Sequence, residues 1–147
     1  MSVMPTDHTL HAFELVMGEV RRLGHDRVRA EHIFLGVIGI SEGSASCILD
    51  SMGVDRAVLR QSLEASLPAG EADPGRGELP YDQTGVAVIE VCMAEVQRTG
   101  AARLSTAQVL LGLLTAPGNS TNGALEAAGV SVPELEARLR AHLAGDD

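Results

Sequence analysis

Thr6, Asp7 and Glu31 place a hydroxyl and two carboxylates near the starts of two predicted helices. Free backbone N–H groups at a helix N-terminus bind phosphate, and a carboxylate forms strong paired hydrogen bonds with a guanidinium. If the two helix starts adjoin, these residues predict one pocket for a ligand that carries both groups. Glu31 also has a purely structural explanation, because the helix dipole favours an acidic side chain in a first turn.

Other residues with reactive side chains lack the partners that catalysis or metal binding requires. His8 and His11 share a helical face, but no cysteine or carboxylate cluster completes a metal site. His25 is expected to bind the terminal carbonyls of the preceding helix. Ser44 and Ser46 lack the GxSxG pattern of a serine nucleophile. We therefore predict a protein that is not an enzyme and has no metal or cofactor; a small hydrolase, which needs a Ser–His contact, is the enzyme alternative.

Charge and composition narrow the range of partners. The net charge is −9, and arginine supplies all 11 cationic residues. A nucleic-acid partner requires clustered cations, so none is expected, although a helical transcription regulator is kept as an alternative. The chain has no signal region and no long apolar run, which predicts a soluble, cytoplasmic protein with no membrane partner. Cys47 and Cys92 are isolated thiols, expected to be reduced and buried.

The two halves of the chain align without a gap at an offset of 76 residues. Glycines and leucines keep this register throughout, which indicates an internal repeat. We define repeat 1 as residues 7–67 and repeat 2 as residues 82–143, within one domain over residues 1–147. The matched pairs include Gly24 and Gly100, Gly36 and Gly112, Gly53 and Gly129, Leu35 and Leu111, and Leu63 and Leu139.

Each repeat is predicted to contain four helices. Leu10, Phe13, Met17 and Val20 recur at helical spacing and predict the buried stripe of the first helix. Gly36 costs its helix about 1 kcal/mol relative to Ala, which a close helix crossing would explain. The predicted helices lie near residues 7–23, 30–39, 44–52 and 55–67 in repeat 1, and 82–99, 106–115, 120–128 and 132–143 in repeat 2.

Residues 68–80 separate the repeats, and their Pro and Gly content predicts a mobile linker. No segment shows the alternation of a β-strand. The predicted fold class is all-α, with two tandem four-helix repeats that share one core and are related by a pseudo-twofold axis.

Several short motifs in this chain resemble the Clp repeat. The sequence L-G-H at 23–25, A-E-H-I-F-L-G-V-I at 30–38 and G-V-D at 53–55 follow the family pattern of L-G-H, T-E-H-x-L-L-G-L-L and a G-V-D/S turn. A more diverged second copy occupies 106–114 and 128–131. The resemblance covers nearly the whole chain and is closest to the N-terminal domain of ClpC-type unfoldases.

This resemblance implies the Clp N-terminal domain fold and a module that binds proteins or peptides around the Clp protease. Its implied partners are Clp protease components, adaptors or substrate peptides. The chain has no lysine and hence no GxxxxGK[ST] loop, so it resembles the recognition part of an unfoldase, free-standing and without ATPase modules. Such a module could deliver clients, compete for adaptors or degrons, or act as a decoy that sequesters cyclic-peptide antibiotics.

The resemblance also implies a role for Thr6 and Glu31. In the family, a Thr and a Glu at these positions bind phosphoarginine in members with that activity. In repeat 2 the matching positions hold Asp82, which would repel phosphate, and Ala107, which cannot bind a guanidinium. The expectation is therefore one equivalent of ligand, bound in repeat 1.

Overall fold

The computed structural model describes residues 4–75, 77–118 and 121–145. Within them the chain is almost entirely helical, which confirms the all-α prediction, and its helices fall close to the predicted ranges. The start of the seventh predicted helix, Ser120, lies outside the described residues. The helices are α1 (Asp7–Arg22), α2 (Ala30–Ile38), α3 (Ser44–Ser51), α4 (Arg56–Ala65), α5 (Gln83–Thr99), α6 (Thr106–Thr115), α7 (Thr121–Ala127) and α8 (Val132–Gly145).

The helix starts are fixed by side-chain caps at equivalent positions of the two repeats. Thr6 accepts a hydrogen bond from the Thr9 amide at the start of α1, and its counterpart Asp82 accepts one from Gly85 at the start of α5. Asp55 caps α4, as predicted from its residue type. Residues 76 positions apart in the two repeats are counterparts of each other.

Helices α2 and α6 form the centre of the core, and the helical residues of α2 are all buried. The crossing of α1 over α2 is close, because a Cβ on Gly36 would lie 2.5 Å from the carbonyl oxygen of Ala12 and against the Val16 side chain. This confirms the predicted reason for a glycine inside α2. Gly112 makes the equivalent close approach to Cys92 in repeat 2.

The predicted buried stripe of α1 is confirmed at Val20, which is fully buried, and is wrong at its other three positions. Leu10 is 53% exposed, and Phe13 and Met17 are only partly buried. Small and branched residues, including Ala12 and Val16, face α2 instead, because the close crossing leaves no room there for longer side chains.

Two short parallel pairings join the repeats, and the sequence did not predict them. Strand β1 (Met4–Pro5) pairs with β2 (Arg103–Leu104), directly before α6. The counterpart bridge joins Tyr81 to Val28, directly before α2. The flanking hydrogen bonds are also equivalent, from Thr6 N to Leu104 O at 3.0 Å and from Asp82 N to Val28 O at 2.9 Å. The residues directly before the first helix of each repeat therefore pair with the other repeat. This is the relationship expected of a pseudo-twofold arrangement.

The sequence predicts a mobile linker, whereas the contacts of the linker hold it against the end of α1. Ala72 N donates to Gly24 O at 2.7 Å, and Gly70 lies so close to Gly24 that neither position has space for a Cβ. Further along, Arg21 binds the carbonyl oxygen of Gly75 at 2.7 Å and that of Gly77. The described part of the linker is therefore docked on the end of α1. Arg76, inside the linker, lies outside the described residues.

Candidate functional site

Thr6 lies at the junction between β1 and the start of α6, in the other repeat. Its hydroxyl contacts the Thr9 hydroxyl at 2.9 Å, and Thr9 in turn donates to Leu104 O at 2.8 Å. Asp7 is exposed in the first turn of α1, where the helix dipole favours its charge. Opposite Thr6, Ser105 caps α6 by accepting from Gln108 N.

Glu31 lies at the junction between the start of α2 and the start of α5. Its side chain is 2% exposed, and its Oε1 is 3.8 Å from Arg29 Nε. The same Arg29 nitrogen is 3.8 Å from Asp82 Oδ2. Thr84 joins the two helix starts, since its hydroxyl accepts from Ala30 N at 3.0 Å and donates to Asp82 at 2.7 Å.

The structure does not bring Thr6 and Asp7 together with Glu31, so the prediction of one shared pocket is wrong. Helices α1 and α2 run in opposite directions, because Gly36 packs near Ala12 whereas His32, at the start of α2, contacts His25 beyond the end of α1. The 16 residues of α1 span about 24 Å at 1.5 Å per residue. Thr6 and Glu31 lie at opposite ends of that length.

Each junction instead combines one residue from each repeat. Thr6 shares its junction with the α6 start, where Ala107 is the counterpart of Glu31. Glu31 shares its junction with Asp82, the counterpart of Thr6. A hydroxyl and a carboxylate at the two family positions therefore do not meet at either junction. No sequence pattern could reveal this, because it depends on the pairing of β1 with β2 and of Tyr81 with Val28, which lie far apart in the sequence.

A pair of histidines joins the α2 start to the linker. His32 is fully buried and accepts from Arg29 N through Nδ1 at 2.9 Å. Its Nε2 is 2.8 Å from His25 Nδ1, and His25 Nε2 binds Pro68 O at 2.8 Å. His25 thus binds a linker carbonyl rather than the predicted carbonyls of α1. Burial, His25 and the Arg29 cation lower the pKa of His32 from 6.5 to about 4.

Four charged residues join the first and last helices of each repeat. In repeat 1, Glu19 pairs with Arg22 and Arg60, and Glu64 pairs with the same two arginines. In repeat 2, Glu95 pairs with Arg98 and Arg140, and Arg140 pairs with Glu136. Burial alone would raise the pKa of Glu19, but hydrogen bonds from Arg22 and Arg60 hold it below its usual value.

A groove of about 970 Å³ is lined by repeat 2 residues and by Thr6, and we call it the α5–α8 groove. It lies between the end of α5, the start of α6 and the end of α8. Its lining includes the charged residues Glu95, Arg98 and Arg140 and several small and aliphatic side chains. The lining also includes Thr6, Gly100, Ala101, Arg103, Leu143 and Ala144.

Residues considered for catalysis have structural hydrogen bonds. Ser44 accepts from Ala107 N at 3.1 Å, and Ser46 donates to Val37 O. In the described part of the chain, no group of three or more metal-binding side chains comes together. Cys92 is buried as predicted, and burial raises its pKa to about 12. Cys47 is exposed, which corrects the prediction that both thiols are buried.

The chain belongs to the family of Clp repeat N-terminal domains. The family model of the Clp repeat (R) N-terminal domain matches residues 4–128. Members of this family are protein-binding modules of Clp unfoldases. Over 109 residues, or 74% of this chain, it is 33% identical to an ATP-dependent Clp protease ATP-binding subunit ClpA homolog of Guillardia theta and 32% identical to the chaperone protein ClpC1, chloroplastic, of Arabidopsis thaliana. The match spans only 13% of the length of the first relative and 12% of the length of the second.

Solved structures show the same fold. The N-terminal domain of ClpD from Arabidopsis thaliana superposes with a TM-score of 0.78 at 19% identity, covering 96% of this chain and 95% of the other. The Hsp104 N-terminal domain from Candida albicans gives 0.80 at 14% identity, covering 98% and 93%. Among the described residues, no helix combines the length and apolarity needed to cross a membrane.

Proposed function

We propose that this domain binds protein segments for a Clp protease system, as a recognition module for adaptors or clients. The observation that supports the proposal is that both repeats, over almost the whole chain, have the organisation of Clp unfoldase N-terminal domains. The buried thiol, the hydrogen-bonded serines and the histidine pair all have structural roles. The proposed binding therefore uses the surface of the module.

Exposed apolar residues support protein docking on α1 and α5. Leu10 is 53% exposed and its counterpart Val86 is 43% exposed. Val86 also lines a shallow depression of about 310 Å³ with Tyr81 and Ile89. Apolar and aromatic side chains exposed together are typical of protein interaction surfaces.

Phosphoarginine recognition by Thr6 and Glu31 stays a prediction of the family resemblance, and the geometry does not favour it. The Thr6 junction has Ala107 in place of a carboxylate, while the Glu31 junction has Asp82 in place of a hydroxyl. Arg29 Nε moreover lies 3.8 Å from both Glu31 and Asp82, so a guanidinium of the chain itself already lies beside both carboxylates of that junction. Delivery, competition and sequestration of cyclic-peptide antibiotics likewise stay predictions.

The test is affinity capture from the source cell with the purified, immobilised domain, followed by mass spectrometry. We expect Clp components, their adaptors or their known clients to be enriched. The double variant Leu10→Asp/Val86→Asp should deplete them, because charged groups interrupt the apolar surface. Val58→Asp is the matched control, since Val58 is 45% exposed on α4. Capture without any Clp-related protein, or equal capture by the double variant, would contradict the proposal.

A further inference from the structure

Residues 68–75, which we call the strap, are held on repeat 1 by polar contacts rather than by apolar burial. None of the strap residues is buried. Leu67, before the strap, and Leu79, beyond it, both pack against the core. The strap is thus anchored on either side by a leucine, while its own attachment consists of hydrogen bonds near the surface. Segments of this kind open locally at a much lower cost in free energy than the core does.

The hydrogen bonds that attach the strap all involve its main chain. Ala72 N donates to Gly24 O at 2.7 Å, and Pro68 O accepts from His25 Nε2 at 2.8 Å. Arg21 binds the far end of the strap. Of these bonds, the one from His25 is the one whose donor changes charge near neutral pH. The attachment of the strap therefore contains one group that acid can alter.

The hydrogen bonds of His32 leave no place for a second proton on His25. His32 Nδ1 accepts from Arg29 N, so the hydrogen of His32 is on Nε2, which lies 2.8 Å from His25 Nδ1. A proton added to His25 Nδ1 would face that hydrogen directly. His32 cannot offer an acceptor instead, because the Arg29 N–H fixes its other nitrogen. Protonated His25 must therefore leave its contact with His32.

The charged groups around the pair keep His32 neutral in mild acid. Burial, a charge on His25 and the Arg29 cation lower the pKa of His32 to about 4, although Asp82 and Glu19 act in the opposite direction. His32 therefore remains an N–H donor at pH 5. His25 is only partly buried, so it is the ring through which mild acid acts on the strap.

Movement of the His25 ring is transmitted directly to the strap. A Cβ on Gly70 would lie 2.5 Å from His25 Cδ2, so the ring edge packs against the main chain of the strap. A ring that leaves His32 therefore displaces the strap or loses contact with it. Repeat 2 has Ala101 and Gln108 at the two histidine positions, so it contains no such titrating pair.

We propose that the strap is a pH-released cover on repeat 1, held closed by the hydrogen-bonded pair of His25 and His32. His25 takes up a proton from solvent, its contact with His32 breaks, and its ring turns away from Pro68 O. The strap then leaves Gly24, while the helices of both repeats stay folded. Release makes the Gly24 carbonyl available to another segment. This device does not depend on the proposed function.

The test measures hydrogen exchange of the Ala72 amide by NMR in the full chain at pH 7 and pH 5. We expect its protection factor to fall about tenfold at pH 5, since the released state binds one more proton. Carboxylates mostly titrate below this pH. Leu35 is fully buried in α2, and its amide should stay far better protected than that of Ala72 at both pH values.

Two variants at position 25 separate the histidine pair from other effects of acid. His25→Ala removes the donor to Pro68 O, so Ala72 should already exchange rapidly at pH 7. His25→Gln supplies both an acceptor for His32 and a donor for Pro68 O without titrating, so Ala72 should stay protected at pH 5. His11→Gln is the matched control, since His11 is exposed on α1, and it should behave as wild type does. Circular dichroism melts confirm that each variant is folded.

Three results would overturn the proposal. One is an Ala72 protection factor that does not fall between pH 7 and pH 5 in the folded wild type. Another is the same fall in His25→Gln, which would assign release to the carboxylates of the strap. The third is equal protection of Ala72 and Leu35, which would show that the strap opens only when the whole domain unfolds. Each would leave the capture of Clp components, and hence the proposed function, unaffected.

Discussion

His32 Nε2 lies 2.8 Å from His25 Nδ1, and the surrounding hydrogen bonds fix which ring carries the proton. Arg29 N–H donates to His32 Nδ1, so that nitrogen must be unprotonated. His32 therefore donates from Nε2 to His25, and His25 donates from Nε2 to Pro68 O. The chain of hydrogen bonds from α2 to the linker requires both imidazoles to be neutral.

Acid should destabilise the fold through His32. Its pKa is lowered from 6.5 to about 4 in the folded state, so the unfolded chain binds more protons between these two values. The contribution to stability is complete above pH 6.5 and is lost as the pH falls towards 4. For this one group the loss between pH 7 and pH 5 is about 2 kcal/mol. Urea unfolding at the two pH values measures the loss.

The matched variant for this prediction is His32→Gln. In repeat 2 the counterpart, Gln108, caps its helix through the same type of hydrogen bond without titrating. We expect His32→Gln to reduce the difference in unfolding free energy between pH 7 and pH 5 by most of that amount. His11→Gln, at an exposed position, should leave the difference unchanged. An unaltered pH dependence in His32→Gln would show that carboxylates rather than this imidazole cause the acid loss.

The sequence predicted those features that depend on local periodicity and on the repeat. Helix α6 was predicted at residues 106–115 and is observed as Thr106–Thr115, because Ser105 and Gln108 form a local capping box. Gly36 was assigned to a close crossing because Gly112 repeats it. Both predictions use information that lies within one repeat or in the comparison of the two.

Features that depend on contacts between distant segments were missed. The pairing of Met4–Pro5 with Arg103–Leu104 involves two residues on each side, too few for any alternation of apolar residues. The docking of the linker depends on backbone hydrogen bonds to Gly24, which its Pro and Gly content cannot indicate. The candidate site is wrong for the same reason, since Thr6 and Glu31 belong to one repeat but the two pairings place each of them beside residues of the other repeat.

Alanine at the two helix-crossing glycines should destabilise the protein to different degrees. A Cβ at position 36 meets the Ala12 carbonyl oxygen, which is backbone, whereas at position 112 it meets the Cys92 sulfur at a side-chain end. We expect Gly36→Ala to cost about 3 kcal/mol and Gly112→Ala about 1 kcal/mol. Gly18→Ala is the control, because nothing lies within 4 Å of that Cβ, and it should stabilise α1 by about 1 kcal/mol. Thermal or urea unfolding gives all three values, and a smaller cost for Gly36→Ala than for Gly112→Ala would contradict this account of the crossing.

The two cysteines should differ sharply in reactivity. Cys47 is exposed, whereas Cys92 is 1% exposed and burial raises its pKa to about 12. Since the thiolate is the reactive form, an alkylating reagent at pH 7.5 should modify one thiol in the native protein and two in urea. Mass spectrometry of the intact protein counts the adducts, and Cys47→Ser should remove the native one. Two rapid adducts in the native protein would show that α5 and α6 separate readily around Cys92.

The charged clusters of the two repeats have the same composition in a different order. Repeat 1 has Arg60 followed by Glu64 on α4, and their counterparts on α8 are Glu136 and Arg140. The order can be reversed because Glu19 and Glu95, on the neighbouring helices, pair with an arginine at either position. The clusters therefore predict a compensated exchange of charge.

Arg60→Glu alone should destabilise the domain, because Glu19 loses one of its two arginines and three carboxylates then surround Arg22. Glu19 has a side chain that is only 11% exposed, so solvent screens this repulsion incompletely, and we expect a loss of about 1 kcal/mol of unfolding free energy at low salt.

Adding Glu64→Arg to Arg60→Glu reproduces the order of repeat 2, where Arg140 Nη1 is 3.5 Å from Glu95. The double variant should therefore recover most of the lost unfolding free energy in urea titrations, and the difference between single and double variants should shrink in 1 M salt. If the double variant is no more stable than Arg60→Glu, Arg60 acts through the packing of its aliphatic stem rather than through its charge, and the two clusters are not interchangeable.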